Sequence, residues 1–269
     1  RAWESLGLAW TKKDKEVRAP HICEAQNRFN RISLWVATTI LQTEKLQDRA
    51  KVLAKFIEIA SHLNKLNNFA GTLQIVSGLS NSAVHRLTQT WGTISSTLRK
   101  TYEELAKYNE RNSRVLRERI RNANPPCIPF FGMYQTDLTF VEDGNPDLIG
   151  PNGNLQNCTK RRLTADYIRS IHQYQLQPYV LAPLPFVQDM ILSAPVLDET
   201  TLYDMSEWLE PRKGTERGPK PAGFDLVAEG SLASEKIELD LVMGYPFYVA
   251  DAPSNIQMNP NTHTIKYAT

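Results

Sequence analysis

The first residues that could do chemistry lie in the stretch "PPCIPFFGMYQTDLTFVEDGNPDLIG", residues 125–150. Four of them are spaced i, i+3, i+4 and i+7: Thr136, Thr139, Phe140 and Asp143. In a helix these four side chains share one face. Hydroxyls and a carboxylate do not suit a core-facing helix surface, which is apolar. The helix dipole also disfavours the two acids, Glu142 and Asp143, at the C-terminal end of such a helix. The pattern indicates a polar helix end that is either solvated or in contact with another molecule.

Residue patterns for covalent chemistry are missing from the sequence. It contains no GxxxxGK[ST], GxGxxG, HExxH or GxSxG motif. The five histidines are scattered, and none lies four residues from another. We therefore expect a protein that makes and breaks no covalent bonds, and we predict neither a metal site nor a cofactor.

Composition excludes further classes of function. The 269 residues are 41% hydrophobic and 22% charged, which suits one large globular domain or a domain plus a tail. A net charge of +2 is too small to imply a nucleic-acid or membrane partner. Three cysteines that are far apart predict neither a disulfide framework nor a zinc site, and they favour a reducing compartment. We expect a cytoplasmic protein.

Helical spacing of apolar residues dominates the first four fifths of the chain. It predicts two helices in residues 28–63 with a break near Glu44, and then a buried helix capped by Asn67 or Asn68. Further helices are predicted in residues 82–121, before the prolines at 125–126, and an amphipathic helix is predicted from "CTKRRLTADYIRSIHQYQ". Two short helices follow near 185–193 and 199–208. The fold class predicted is all-α.

Composition changes after residue 212. The Gly/Pro/Lys-rich residues 213–222 are typical of a linker. Residues 223–269 combine a β-prone run, "KIELDLVMGYPFYVA", with a polar end, "PSNIQMNPNTHT". We predict a helical domain over 1–212, a linker over 213–222 and a partly β extension of unknown role over 223–269.

Seven stretches, in order along the chain, carry a resemblance to a known family. They are "WTKKDKEVRAPHI", "RFNRISLWV", "LNNFAGTLQIVSGLSNSAVHRLTQTW", "PPCIPFFGMYQTDLTFVEDGNP", "NCTKRR", "IHQYQLQPY" and "EWLEPR". Together they resemble the catalytic domain of Ras-family guanine-nucleotide exchange factors, the Son-of-sevenless-like RasGEF domain, over roughly residues 5–212. In that family one or two further helices precede the "WTKK" region.

The resemblance implies a multi-helix orthogonal bowl with a protruding helical hairpin. The bowl would bind the two switch segments of a Ras-like small GTPase, of Ras or Rap type, and the hairpin would pry its nucleotide site open. One arm would run from Phe130 to about Asp143, and the other would start near Asn157. Nucleic acid is not an implied partner, and a membrane is reached only through the lipidated GTPase.

The resemblance also assigns roles to single residues. It implies that Thr139 and Asp143 approach the partner's magnesium and α-phosphate sites, with Glu142 as the rival acid. This chain departs from the family there, because a bulkier apolar residue and a glutamate are common at those two positions. The full catalytic set is Thr136, Thr139, Glu142, Asp143 and Asn145. The partner-binding set is Leu73, Ser80, Asn112, Ser113, Phe130 and Phe140. The supporting set is Asn68, Arg86, Asn157 and Lys160.

Several alternatives remain open. Leu73 could equally be ordinary core, and the basic residues 159–162 could brace the hairpin or meet an acidic patch on the GTPase. The whole domain could bind a GTPase as a scaffold without releasing nucleotide. A more remote hypothesis is a helical nucleic-acid-binding protein that uses the arginines of residues 111–121.

Overall fold

A computed structural model of the chain describes residues 1–110, 113–224, 256–258 and 265–267. The helices in this part are α1 (Lys15–Arg18), α2 (Pro20–Gln42), α3 (Leu46–Lys65), α4 (Phe69–Leu79), α5 (Ser82–His85), α6 (Thr88–Thr93), α7 (Ser96–Ala106), α8 (Arg114–Arg121), α9 (Phe131–Gly144), α10 (Cys158–Gln173), α11 (Pro185–Ser193) and α12 (Glu199–Leu209). Short 3₁₀ segments span Ala2–Thr11, Lys107–Asn109 and Ala222–Phe224. The strands are β1 (Leu148–Ile149), β2 (Leu155–Gln156), β3 (Ile256–Met258) and β4 (Ile265–Tyr267), paired antiparallel as β1–β2 and β3–β4. The prediction of an all-α fold is confirmed.

The main core forms around α4, which packs on both α2 and α3. The α4 sequence "FAGTLQIVSGL" is apolar around most of its circumference, as expected of a helix that is buried on several sides. Gly78 sets how closely α2 and α4 approach, because a Cβ there would lie 2.5 Å from the carbonyl oxygen of Ser33. The three helices form the fixed frame of the domain.

The predicted helix boundaries in this region agree with the structure at two places. α2 ends at Gln42 and α3 begins at Leu46, which places the break at Glu44. Asn68 caps α4, since its side-chain oxygen accepts a hydrogen bond from the Gly71 amide at 2.8 Å. Asn68 therefore fixes the start of α4.

α2 begins eight residues earlier than the apolar spacing indicated. Pro20 occupies its first position, where the missing amide hydrogen costs nothing. The buried carboxylate of Glu4 then accepts the amides of His21 at 2.9 Å and Ile22 at 3.1 Å. The helix start is thus capped by a distant acid, which local spacing does not reveal.

α12 is locked to the bundle by buried polar contacts at its C-terminal end. Arg86 donates to the carbonyl oxygens of Ser206 at 2.7 Å and Glu210 at 2.9 Å. The Glu210 carboxylate accepts the amides of Gln89 and Thr90, both at 2.9 Å, at the start of α6. Arg86 therefore joins the segment after α5 to the end of α12.

The segment predicted as a linker lies against α12. The Arg217 guanidinium stands 4.6 Å from the ring centroid of Trp208, and the Phe224 ring lies 5.1 Å from the same indole. Lys220 pairs with Glu44 at 2.6 Å. Residues 217–224 therefore belong to the packed domain.

Most of the predicted extension, including the β-prone run at 236–250, lies outside the described residues. The two strands that are described there, β3 and β4, fall in or next to the part predicted to be a polar end. Among the described helices, none combines the length and the apolar character that crossing a bilayer requires.

Candidate functional site

Two helices form the hairpin that the sequence predicted. α9 and α10 pack on each other and are joined by the short β1–β2 turn. Asn157 starts α10, because its side-chain oxygen accepts the Lys160 amide at 3.1 Å while its Nδ2 donates to the Pro146 carbonyl at 2.9 Å. Asn157 therefore links the start of α10 to the turn between the arms.

α9 has one buried face and one exposed face. Tyr134, Leu138 and Val141 are buried at spacings of four and three residues. On the exposed face lie Thr136, Phe140 and Asp143, with Thr139 half-buried beside them. The row of side chains singled out from the sequence therefore shares a helix face, and that face points to solvent.

A small second core lies under α9. Leu138 packs with Ala9, Trp10, Ala19 and Ile22, and Phe131 and Tyr167 close its rim. The N-terminal 3₁₀ segment Ala2–Thr11 supplies much of this core. The sequence assigned no role to that segment, although its "LGLAW" run is apolar.

The two threonine hydroxyls of the exposed face bond to their own helix. Thr136 Oγ1 donates to the Gly132 carbonyl at 3.0 Å, and Thr139 Oγ1 donates to the Gln135 carbonyl at 2.9 Å. Each hydroxyl hydrogen is thus engaged, and the oxygen lone pairs and methyl groups remain for a partner.

Lys160 forms an ion pair with Glu142, which is one of the two rival acids. Its ammonium lies 3.0 Å from Glu142 Oε1 and 3.0 Å from Asp147 Oδ1, and the lysine is only 6% exposed. Burial alone would lower the pKa of Lys160, but its hydrogen bonds to the two carboxylates raise it above the ordinary value. The same hydrogen bond lowers the pKa of Asp147. Glu142 is therefore committed to bracing the hairpin.

Asp143 differs from Glu142 in its surroundings. It is exposed at the end of α9, and it has no ion-pair partner within the part of the chain that the structure describes. Asn145, the last residue of the predicted catalytic set, donates its amide to the Val141 carbonyl at 3.0 Å and so closes the helix end. Asp143 is the acid that remains available to another molecule.

Phe130 lies at the base of the hairpin, immediately before α9. It is half-buried, and its ring centroid is 5.4 Å from that of Phe29 on α2. A Cβ at Gly132 would come 2.5 Å from the Phe130 ring, so glycine allows the ring to fold over the first turn of α9. Phe130 thus touches both the bundle and the hairpin.

A groove of about 570 Å³ opens beside Ser80. Its lining is Asn30, Ser33, Leu34, Ser77, Ser80, Asn81, Ser82, Asn109 and Glu199. Ser80 Oγ lies 3.0 Å from the Tyr102 hydroxyl. The lining is mostly hydroxyl and amide.

Two residues predicted to bind a partner lie in the interior. Leu73 is 1% exposed and packs in the main core, which is the alternative that the sequence left open. Ser113 is 8% exposed and caps α8, accepting the Leu116 amide and donating to the Lys107 carbonyl at 2.7 Å. Neither offers surface to a partner in this structure. Asn112 lies outside the described residues.

No cluster of three or more metal-ligating side chains occurs among the residues with described positions. Fold and site together define an all-α domain that has an exposed face on the hairpin helix α9 and a mostly polar groove beside Ser80.

Comparisons with known proteins agree with this architecture. Residues 1–162 match the family model described as RasGEF domain. The chain is 42% identical over 210 residues to Ras guanine nucleotide exchange factor Y of Dictyostelium discoideum, which covers 77% of this chain and 14% of that protein. It is 38% identical over 212 residues to Ras-specific guanine nucleotide-releasing factor 2 of Danio rerio (78% and 17%) and 35% identical over 211 residues to Protein son of sevenless of Drosophila melanogaster (78% and 12%).

The chain belongs to the RasGEF domain family. It spans between 12% and 26% of the length of the curated relatives compared with it.

Proposed function

We propose that this chain stimulates release of GDP from a Ras-like small GTPase, of Ras or Rap type. Family membership supports the proposal, as do relatives that are named as Ras exchange or releasing factors. The chain would work in the cytoplasm and reach membranes only through its lipidated partner. It would accelerate exchange on another protein without covalent chemistry of its own.

The single observation that carries the mechanism is the two-faced α9. One face of this helix is buried on the domain, and the opposite face exposes Thr136, Phe140 and Asp143. An exposed phenylalanine, 60% accessible, beside hydroxyls and a carboxylate suits insertion into a site that has both apolar and cationic walls. The hairpin would enter the nucleotide site of the partner and displace one of its switch segments.

The size of the barrier reduction indicates which feature of the hairpin contributes most to nucleotide release. An acceleration of about 10⁵-fold requires the barrier to release to fall by about 7 kcal/mol. One displaced hydrogen bond contributes only about 1 kcal/mol. Displacing a whole switch, with loss of its metal and phosphate contacts, must therefore supply most of the effect. Position of the hairpin is the main cause, and its side chains assist.

Asp143 is the side chain we assign to the phosphate site. Its carboxylate would compete with phosphate for the same cationic and hydroxyl donors and would repel phosphate electrostatically. Glu142 is a weaker candidate, because Lys160 already holds it at 3.0 Å. Thr139 would stand near the metal site and hinder return of Mg²⁺, which neutralises phosphate charge.

Thermodynamic linkage then accounts for turnover. If the hairpin and the nucleotide oppose each other's binding to the GTPase, each weakens the other by the same factor. An excess of GTP therefore releases the exchange factor from the loaded GTPase, and the factor can act again.

A nucleotide-release assay tests the proposal. A Ras, a Rap and a Ral protein are each loaded with fluorescent GDP, and its release is followed in excess GTP with and without the chain. Acceleration on at least one GTPase is expected. Release at the intrinsic rate throughout the panel would refute the proposed activity.

Two matched pairs of variants test the site. Asp143→Ala should slow release while binding to the GTPase persists, whereas Glu58→Ala, on the exposed surface of α3, should leave release unchanged. Phe140→Ala should slow release, and Phe186→Ala should not, although the two rings are 60% and 58% exposed. Phe130→Ala should weaken binding, because that ring joins bundle and hairpin. Equal effects within a pair would contradict the assigned site.

A second candidate is a GTPase-binding scaffold that does not release nucleotide. It is favoured by Thr139 and Asp143, which replace the bulkier apolar residue and the longer acid common in the family. Binding to a GTPase without faster release would select it. The nucleic-acid hypothesis loses support, because Arg114 and Arg117 of the proposed basic surface are already paired with Glu118 and Asp137.

A further inference from the structure

One ion pair joins α9 of the hairpin to α8 of the bundle. Arg117 of α8 donates from Nη1 to Asp137 Oδ2 at 2.7 Å and from Nη2 to Asp137 Oδ1 at 2.8 Å. The two side chains are only 31% and 11% exposed. Two parallel bonds between a planar guanidinium and a carboxylate fix an orientation as well as a distance.

The second arm of the hairpin meets α8 near the same point. The hydroxyl of Tyr174, which directly follows α10, reaches the Ile120 carbonyl of α8 at 3.5 Å. Tyr167 of α10 lies close to both charges of the ion pair: burial first and then Asp137 raise its pKa, and Arg117 lowers it. α8 thus contacts both arms, and the ion pair lies at the junction of three helices.

Asp137 lies on the side of α9, between its exposed and its buried face. It lies between Thr136, on the exposed face, and Leu138, on the buried face. A contact on the flank of a helix resists rotation about the helix axis more directly than a contact under its buried face. The Arg117–Asp137 pair is therefore placed where it would resist rotation of α9 about its axis.

We propose that Arg117 is a positioning residue that sets the orientation of the hairpin through Asp137. The inference rests on the proposed exchange function and adds a residue outside the hairpin to it. Arg117 touches no substrate. Its guanidinium holds the first arm so that Thr136, Phe140 and Asp143 meet the partner together.

Steady-state kinetics separate positioning from binding and from plain stability. Arg117→Met keeps the length of the side chain and removes its fork, and Asp137→Asn keeps the shape and removes the charge. With the GTPase on which the wild-type chain is active, each change should lower kcat about tenfold and leave KM within about twofold. The combined Arg117→Met/Asp137→Asn variant should lose no more than either change alone.

Two further variants sharpen the kinetic test. The exchanged pair Arg117→Asp/Asp137→Arg should recover part of the lost kcat, which a generally destabilised domain would not do. The control Arg114→Gln removes an arginine from the same helix whose partner, Glu118, lies on that helix, and it should leave kcat unchanged. Additive losses, an unchanged kcat, or a rise in KM alone would overturn the inference.

A distance measurement tests the orientation without any GTPase. Nitroxide labels are placed at Arg162→Cys on α10 and Lys51→Cys on α3, both exposed positions, with Cys158→Ser removing the exposed native thiol. The distance distribution should broaden or shift in Arg117→Met and in Asp137→Asn, but not in Arg114→Gln. Identical distributions in all variants would overturn the inference. Absence of exchange by the wild-type chain would refute the proposed function alone, since this measurement stays interpretable.

Discussion

The bundle and the hairpin of this domain are held in place by different forces. The bundle core joins α2, α3, α4 and α12 through side chains that are almost wholly buried, such as Leu53 and Leu202. The hairpin places Leu138 of α9 in a small core of its own, and Phe130 and Tyr174 pack only at the edge of the main core. The Arg117–Asp137 ion pair adds a polar contact between α8 and α9. Apolar burial is strong and non-directional, whereas ion pairs are weaker and directional. We therefore expect the bundle core to supply most of the stability and the directional Arg117–Asp137 contact to contribute to the orientation of the hairpin.

The largest effect should come from the bundle core. Leu53→Ala removes a side chain that is 0% exposed and leaves a cavity among tightly packed helices. We expect the free energy of unfolding to fall by about 3–5 kcal/mol. Urea denaturation followed by circular dichroism measures this loss. A smaller loss of stability in Leu53→Ala than in Leu138→Ala would contradict the view that the bundle core supplies most of the stability.

A matched truncation in the hairpin core should cost less and act locally. Leu138→Ala should lower stability by about 2–3 kcal/mol, because the small core at its rim can collapse around the gap. Amide hydrogen exchange should accelerate in α9 and α10 and stay slow in α3 and α4. Uniform acceleration in all four helices would show that hairpin and bundle unfold as one unit.

Gly132→Ala probes the base of the hairpin. The added methyl would stand 2.5 Å from the Phe130 ring, so the ring or the first turn of α9 must shift. We expect a loss of about 1–2 kcal/mol, since overpacking usually costs that much. Gly92→Ala is the control, because a Cβ at that glycine meets nothing within 4 Å. Thermal melting compares the two.

The smallest effect on stability should come from the turn between the arms. Lys160→Met keeps an apolar stem under the hairpin and removes the charge shared by Glu142 and Asp147. Because water reaches both acids, stability should change by less than about 1 kcal/mol. Nucleotide release should slow more clearly, because the turn loses the Lys160 clamp, by which we mean the ion pairs of Lys160 with Glu142 and Asp147.

pH dependence gives a direct check on that clamp. Lys160 lowers the pKa of Asp147, so the contact stabilises the folded state at pH above the ordinary aspartate pKa and is lost as pH falls through the lowered value. An NMR titration should show the Asp147 carboxyl titrating at lower pH in the wild-type chain than in Lys160→Met. Coinciding titration curves would remove Asp147 from the clamp.

Local sequence signals predicted the helices well. The spacing near 185–193 and 199–208 corresponds to α11 at Pro185–Ser193 and α12 at Glu199–Leu209, and Asn157 starts α10 as the arm assignment required. These features depend on residues within one turn of each other, which is the range over which periodicity and capping act.

Contacts between residues that are distant in the sequence could not be predicted. Glu4 caps α2 from the N-terminal segment, and Arg117 reaches Asp137 across twenty residues. No periodicity links such pairs, since only the folded chain brings them together. The placement of Leu73 shows the same limit, because a leucine on a helix next to a groove can face either the groove or the core.

The docking of residues 217–224 on α12 decides where this domain can be shortened. Gly223 is buried so closely that a Cβ would lie 2.6 Å from the Met205 sulfur, and Trp208 is covered by Arg217 and Phe224. A chain that ends at Arg212 would expose that indole and leave an apolar patch on the surface that favours aggregation. We therefore expect the shortest fragment of this domain that folds without exposing Trp208 to end at Phe224 or later.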